Sequence, residues 1–537
     1  MSEQVVSPSA DLVAPPIGDG EAAAKASGTV ASPYAYYALT LLAVASFFNY
    51  VDRQIISIVA QSIKADLNLT DAQLGFLLGT AFAVFYGVVG IAIGRIADAL
   101  SRTRLMAAGL ALWSAMTALS GLAVNFAGLA AARIGVGVGE ATASPCSHSL
   151  LSDYFPPRNR AAVLGVYLLG NQLGAAASLL LGGMILQHWG QICLSLPVDG
   201  ACRIANWQAA FFIVGLPGLL LAVLIANLKE PRPNPKSDAG SPFRLVVSEL
   251  SAAVPPFTLV KLLYVGGRRA VRKNLILAAG LVAGAILLGA ATHDWAQWIS
   301  VTIGVYSITT WGQVLSHRDL PLFKLTFGCP TFALSLAGGA IIACVSGTMH
   351  MWAAPYAMRE LGASPGQAGL YLGVASAVSA GLSVTLSGLV TDRWKRHDRR
   401  APMWMGLIAL LGPIPAFFVM MWAPDLPIFL AAFFVFSFLS LVWSSGFAAL
   451  VQDLVLPRMR GTAAAAFSLV VIVVASGVGP YWAGKISTLT GSLTIGLYSL
   501  LTLVPVGIVL LLKAAARLSN ETDAARRQRA EQFGEVL

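Results

Sequence analysis

Four ionisable side chains lie inside apolar stretches of this chain. Phe48-Asn-Tyr-Val-Asp-Arg-Gln54 puts Asn49, Asp52 and Arg53 within the apolar run 36–62, and Arg133-Ile-Gly-Val-Gly-Val-Gly-Glu140 puts a second cation and acid within 127–152. A charge at bilayer depth has neither water nor mobile counterion, so such groups are rare and mark functional sites. Seven helical residues turn through about 700°, so Arg133 and Glu140 project from one side, roughly 10 Å apart along the axis. A carboxylate that holds an arginine releases it on protonation, and the freed guanidinium fork takes a carboxylate or phosphate bidentately. Asp52 and Glu140 are therefore the candidate proton sites, with Asp52 first because it adjoins Arg53. Arg53 and Arg133 are the substrate or switch residues.

Weaker polar candidates follow. Asn49, Asn171, Ser440 and Trp443 either line a cavity or serve packing and interhelical hydrogen bonds. His350 and Tyr356 lie in Met349-His-Met-Trp-Ala-Ala-Pro-Tyr356, where a proline inside a helix frees backbone groups that line a cavity.

These residues need helices to hold them in a membrane. Of 537 residues, 57% are hydrophobic and only 11% charged, against about 25% charged in soluble domains. Apolar segments of about 20 residues, the length that crosses a bilayer, recur at 36–62, 72–98, 104–124, 127–152, 161–188, 207–228, 274–292, 295–315, 324–349, 366–391, 402–422, 426–451, 461–484 and 492–513. The alternation of a membrane barrel is absent. An all-α polytopic membrane protein is expected. Its divisions are a disordered tail 1–33, a first bundle 34–228, a linker 229–320, a second bundle 321–513 and a tail 514–537. The linker holds the candidate extra hairpin 274–315, whose second segment contains Gln297 and Gln313 and alternatively lies along the interface.

Lys and Arg set the orientation. With the N-terminus in the cytoplasm, Lys64, Arg203, Arg359 and Lys485 fall outside and Arg53 and Arg133 fall within spans, leaving 29 of 35 basic residues on the cytoplasmic side. The net charge of +10 is thus a topology signal, and no nucleic-acid partner is expected. Five cysteines form neither a disulfide scaffold nor a metal site. Cys193 and Cys202 share a polar loop assigned to the outside, where an oxidising medium would pair them.

The chain also repeats itself. A shift of 294 pairs Gln73, Gly75, Gly79, Gly87, Gly94 and Asp98 with Gln367, Gly369, Gly373, Gly381, Gly388 and Asp392; a shift of 300 pairs Asp153, Pro157, Arg158 and Arg160 with Asp453, Pro457, Arg458 and Arg460. Two parallel repeats of six spans form bundles that rock about a midplane site. The membrane charges do not repeat: Arg133 and Glu140 map onto Phe433 and Ser440. A scaffold role would have repeated with the scaffold, which favours function.

Gly94-Arg-Ile-Ala-Asp98-Ala-Leu-Ser-Arg102-Thr-Arg104 and Gly388-Leu-Val-Thr-Asp392-Arg393 resemble the cytoplasmic loop motif of the major facilitator superfamily. The first copy carries Ala99 and Ser101 where the motif has arginine and glycine. The resemblance implies a gating role for Asp98, Arg102, Asp153, Asp392, Arg393 and Asp453, pairing across the bundles. The segments Asn49-Tyr-Val-Asp-Arg53, Arg133 to Ala141 and Ser152-Asp-Tyr-Phe-Pro-Pro-Arg-Asn-Arg160 are similar to the spinster branch, and also to the anion:cation symporter branch. Gly170-Asn-Gln-Leu-Gly174 lacks the proline of the superfamily's antiporter motif.

The spinster resemblance implies a proton-coupled secondary transporter of amphiphilic anions such as lysophospholipids or sphingosine-1-phosphate, working by alternating access. A transporter of small organic carboxylates is the other substrate class that fits. A channel is a further alternative. No Walker loop, nucleophile motif or metal-ligand cluster points to an enzyme or a pump, and no cofactor is expected. The expected partners are a small-molecule or lipid substrate, protons and membrane lipids, with the chain a monomer in the inner membrane and both termini cytoplasmic. That topology predicts that a cysteine at Ser237 reacts with an impermeant maleimide from the cytoplasmic side only; reaction in intact cells would overturn it.

Overall fold

In the computed structural model, residues 32–195, 201–231 and 258–533 are described; nearly all of the expected N-terminal tail and most of the basic stretch before residue 258 lie outside them. Among the described residues the regular structure is entirely helical. Helices occupy all fourteen apolar segments. In the first half these are α1 (Pro33–Asp66), α2 (Asp71–Gly75, a π-turn Phe76–Thr80 and Ala81–Ala99), α3 (Arg102–Ser120), α4 (Phe126–Glu140 and Ala143–Tyr154), α5 (Arg160–Ser195) and α6 (Asn206–Ala226). Between the halves lie α7 (Thr258–Thr292) and α8 (Trp295–Arg318). The second half holds α9 (Pro330–Glu360), α10 (Pro365–Lys395), α11 (Ala401–Leu411 and Pro413–Met421), α12 (Leu426–Leu441 and Ser444–Asp453), α13 (Arg460–Thr490) and α14 (Leu493–Tyr498, Ser499–Leu503 and Val504–Leu518). Eleven of these are long and apolar enough to cross a membrane by length and composition alone. The other three, α3, α4 and α8, contain the arginines, Glu140 and the hydroxyl and amide side chains that lower their hydropathy.

The repeat reappears in local chemistry. Thr70 and Gln73 form a reciprocal capping box at the start of α2 (3.0 and 3.2 Å), and Ser364 and Gln367 form the same box at α10 (3.1 and 3.2 Å). Such boxes satisfy two of the orphan amides of a helix N-terminus. Asn125 caps α4 through the amide of Gly128, and Asp425 caps α12 through that of Ile428. Both α4 and α12 break after their first half, and each is followed by a single 3₁₀ turn, Pro157–Asn159 and Pro457–Met459. The C-terminal segment expected as a tail instead continues α14 to Leu518 and forms a last helix, α15 (Asp523–Gln532). Ala530 of α15 is buried, and Arg529 pairs with Glu521 at 3.1 Å.

The two halves meet along α2 against α13, α5 against α10 and α1 against α9. These contacts gather at the end that holds the α1–α2 and α9–α10 turns. There Asp71 pairs with Lys64 on its own half and with Arg359 (2.8 Å) and Ser487 (2.7 Å) on the other, and the amide of Ala72 donates to Thr488 (3.0 Å). Gln187 accepts from the amide of Gly366 at 2.9 Å. A Cβ at Gly75 or Gly369 would clash with the backbone carbonyl of Pro480 or Leu179, so backbones touch directly here, as small residues permit. Towards the other end the seam opens. A Cβ placed at Gly90 or Gly94 of α2, Gly165 of α5, Gly381 of α10 or Gly461 of α13 would meet no atom within 4 Å.

The inserted helices are a hairpin laid over one seam. Asn274 on α7 binds Thr310, Gln313 and Tyr306 on α8 (2.9, 2.7 and 2.6 Å). Gln313 is therefore explained by pairing with α7. Near its start, α8 is fastened to α13: Asp294 pairs with Lys485 (2.7 Å) and accepts from Tyr481 (2.9 Å). Gln297 is 1% exposed, donates to the Gly477 carbonyl of α13 (2.9 Å) and accepts from Thr80 of α2 (2.7 Å). Thr80 sits at the end of the π-turn, a distortion that recurs at functional positions in helices. Further along, Ile303, Ile308 and Trp311 pack on Val84, Val88, Leu469 and Val473.

Gly75→Val is expected to force α2 away from α13 at the closed end. Spin-label distances across that end should lengthen, whereas Gly94→Val should leave them unchanged; equal behaviour of the two variants would refute the tight-contact reading.

Candidate functional site

The midplane charges come from α1 and from α4 just before its break. Small residues bring the helices together: a Cβ at Gly139 would run into the backbone of Trp113 and Gly109 on α3, and one at Gly137 into the carbonyl of Phe82 on α2. The alternating glycines therefore press α4 onto its neighbours and bring Arg133 and Glu140 against α1.

Four charges occupy this junction. Glu140 is fully buried and accepts from Arg53 Nη2 at 2.9 Å and Nε at 3.2 Å. Arg133, 1% exposed, donates through Nη1 to the carbonyl of Asp52 (3.2 Å) and through Nη2 to the carbonyl of Arg53 (3.3 Å). Asp52 is fully buried, and no arginine side chain pairs with its carboxylate. The expected Asp52–arginine pair is thus corrected. Successive helical residues diverge by about 100°, which turns Arg53 towards α4 and Asp52 towards Trp113 and Thr117 of α3. Glu140 is the carboxylate that holds an arginine. Asn49 approaches Glu140 from the turn before, and its Nδ2 and the Oε1 of Glu140 are left unpartnered.

Arg53 alone of the four is accessible, with its side chain 16% exposed. Its guanidinium lies over the rings of Phe82, Tyr50 and Tyr86 at 4.5, 4.9 and 5.0 Å, an arrangement in which the ring faces attract the cation. Ser57, one turn on along the same face, donates to the carbonyl of Met351 on α9 at 2.6 Å. Its neighbour His350 is half-buried, with Nδ1 2.8 Å from the Ser346 carbonyl and the rings of Phe433 and Phe436 at 5.5 and 6.1 Å. One partly accessible arginine is thus held between a fully buried acid and three aromatic rings of the first half.

Other expected residues stand elsewhere. Tyr356 stacks on Phe429 and donates to the Met421 carbonyl (3.3 Å), inside the second bundle. Ser440 donates to Ser437 (3.1 Å) and lines an apolar cleft of that bundle with Ser346 and Phe436. Trp443 packs edge-on against Phe447. These three lie within the second half and do not join the charge cluster. Asn171 accepts from Ser46 and ties α5 to α1. Cys193 and Cys202 are disulfide-bonded, with Cα atoms 5.1 Å apart.

The loop-motif residues also hold their own bundles. Arg102, 1% exposed, pairs with Asp153 (2.6 Å) and with Glu230, which also accepts the Arg102 amide (2.7 Å), binding the ends of α3, α4 and α6 together. Asp453 pairs with Lys395 between α10 and α12. Asp392 and Arg393 are exposed, and the side chain of Asp98 lies outside the described residues.

Sequence reasoning passed over Tyr50, Phe82 and Tyr86. The i, i+4 spacing of Phe82 and Tyr86 was the available signal, and it is indistinguishable from packing. It also passed over Asp71 and Glu230, whose main partners Arg359, Ser487 and Arg102 are far away in sequence.

A model of the Major Facilitator Superfamily matches residues 42–480. An MFS-type efflux pump of Mycolicibacterium smegmatis is 29% identical over 459 residues, 84% of each chain. A probable L-galactonate transporter of Escherichia coli is 28% identical over 187 residues, 35% of this chain and 37% of that one. The fold is similar to the crystal structure of a bacterial homologue of the human lysosomal transporter spinster in an inward-facing, occupied conformation, with 23% identity, a TM-score of 0.65, and coverage of 92% of this chain and 97% of that one.

Removing one partner of a buried ion pair strands the other charge, at a cost of about 3–5 kcal/mol. Arg53→Ala should therefore lower unfolding stability in detergent by about that amount, and Arg53→Met combined with Glu140→Leu should recover most of it. Equal destabilisation by the single and double variants would show that the pair is not the source.

Proposed function

The chain belongs to the major facilitator superfamily, whose members here are transporters and not enzymes, and on that premise we propose a proton-coupled secondary transporter of amphiphilic anions working by alternating access. The observation that carries this reading is the Arg53–Glu140 pair, with Arg53 partly exposed and walled by three aromatic rings. Ionised Glu140 occupies the guanidinium. Protonation of Glu140 withdraws that partner, and Arg53 turns its fork to a carboxylate or phosphate. The aromatic wall suits the apolar body attached to such a headgroup. Arg133 holds the α1 backbone at Asp52 and Arg53 and so fixes where Arg53 starts. Lysophospholipids and sphingolipid phosphates such as sphingosine-1-phosphate have the required chemistry.

Small organic carboxylates are the second reading, favoured by the similarity of part of the chain to the probable L-galactonate transporter. We assign both termini and the open end to the cytoplasm of a cell whose inner membrane holds the protein, from the distribution of Lys and Arg. In that orientation the seam opens inward, and the Asp71 cluster with Arg359 closes the outside.

In liposomes, uptake should rise with an inward-directed proton gradient, and excess lysophospholipid should compete where short carboxylates do not; the reverse order of competition would favour the second reading. Glu140→Gln should abolish the dependence on pH, and Asp52→Asn should retain it. Unchanged pH dependence in Glu140→Gln would remove Glu140 from the coupling role.

A further inference from the structure

The hairpin carries a feature that the transport cycle does not use. Arg268, Arg269, Arg272 and Lys273 lie within two turns near the start of α7, and all four are exposed. Residues 268 and 272, and 269 and 273, are i, i+4 pairs, so the four form two adjacent columns on one face. Like charges at this spacing repel and destabilise a helix. No hydrogen bond or ion pair relieves any of the four among the described residues.

The backbone explains how the cluster is placed. Gly267 has φ 67° and ψ −172°, a conformation that a side chain disfavours, and it breaks α7 into a short arm and a long helix. On the arm, Val260, Leu263 and Tyr264 are spaced i, i+3, i+4 and are 56%, 48% and 85% exposed. The opposite face is fastened down: Leu262 and Ala270 pack on Val314 of α8. Beyond the cations, only 6% of the apolar window of α7 is buried inside the protein, so that stretch faces lipid. The cations therefore stand where a lipid-facing helix leaves the hydrocarbon, beside an apolar stripe that faces away from the protein. Basic groups in this position attract anionic headgroups, and an amphipathic arm sinks its apolar side at the boundary between headgroup and acyl chain.

We propose that the elbow of α7 is a binding site for anionic phospholipid headgroups, with Arg268, Arg269, Arg272 and Lys273 as the ligands and the 258–266 arm as an interfacial anchor. The phosphate oxygens supply the counter-charge that the helix lacks. This site is separate from the Arg53–Glu140 junction and holds whatever the transported substrate proves to be.

The test uses the full-length protein in mixed phosphatidylglycerol and phosphatidylcholine vesicles, with native mass spectrometry of the lipids retained on extraction. The wild type should retain phosphatidylglycerol preferentially. Changing all four cations to Gln should reduce that preference about tenfold or more, given about a fivefold contribution per basic residue at an anionic surface. Gly267→Ala keeps the charges but disturbs the bend, and should also lower the preference. Competition by millimolar inorganic phosphate to the same extent as by lipid would point to a free-anion site and overturn the lipid assignment. So would an unchanged preference in the fourfold variant, or retention of an acidic protein or nucleic acid in place of lipid. Thermal unfolding of each variant separates loss of lipid from loss of fold.

Discussion

A guanidinium cannot be deprotonated in practice, and in a bilayer it must have an acceptor. Arg53 meets that constraint with Glu140, and much of the first half is arranged around the requirement. The glycines of α4 bring Glu140 into reach, Arg133 clamps the α1 backbone beside it, and the rings of Tyr50, Phe82 and Tyr86 take the faces of the guanidinium that the carboxylate leaves open. A buried ion pair of this kind contributes little net stability compared with an apolar pair of similar volume. What it supplies is a partner that one proton can remove. The second half carries Phe433 and Ser440 at the corresponding positions, so the ion pair belongs to the first bundle alone, and under the proposed function that bundle would hold the switch.

The opposing halves touch most closely at the closed end. There glycines bring backbones together and Asp71 gathers Lys64, Arg359 and Ser487. Around these contacts one apolar cluster spans both halves, with Leu74, Phe76 and Ile185 on one side and Trp352, Leu372 and Leu497 on the other, so parting this end exposes apolar surface. At the other end Arg102 with Asp153 and Glu230, and Lys395 with Asp453, tie helix ends within their own bundle. Each half can then move as a body.

The architecture was legible because hydropathy and the repeat are local or periodic signals. The two shifts read from Gln73/Gln367 and Asp153/Asp453 reappear as paired capping boxes and paired 3₁₀ turns. The four membrane charges were legible for the same reason, since each stands out against an apolar background. Their pairing was not. Adjacency in sequence suggested Asp52 for the arginine, whereas the helix turn sends Asp52 and Arg53 to different neighbours. Ser440 and Trp443 were drawn towards the site by polarity and Tyr356 by the neighbouring Pro355, and in the structure all three pack within the second bundle. The outer cations looked like exceptions to the charge rule, and only the fold reveals that Lys64 and Arg359 share Asp71 and that Lys485 has Asp294.

The α7–α8 hairpin makes a nearly symmetric machine lopsided. Without it, the α2–α13 and α5–α10 seams would both border lipid. With Asp294 bound to Lys485 and Tyr481, and Gln297 shared between Thr80 and Gly477, one seam borders protein and the other does not. Spreading the bare seam displaces only acyl chains, while spreading the covered one must peel α8 from α2 and strand buried amide and hydroxyl groups. Any rocking of the halves would therefore pivot towards the covered side, with the bare side travelling further.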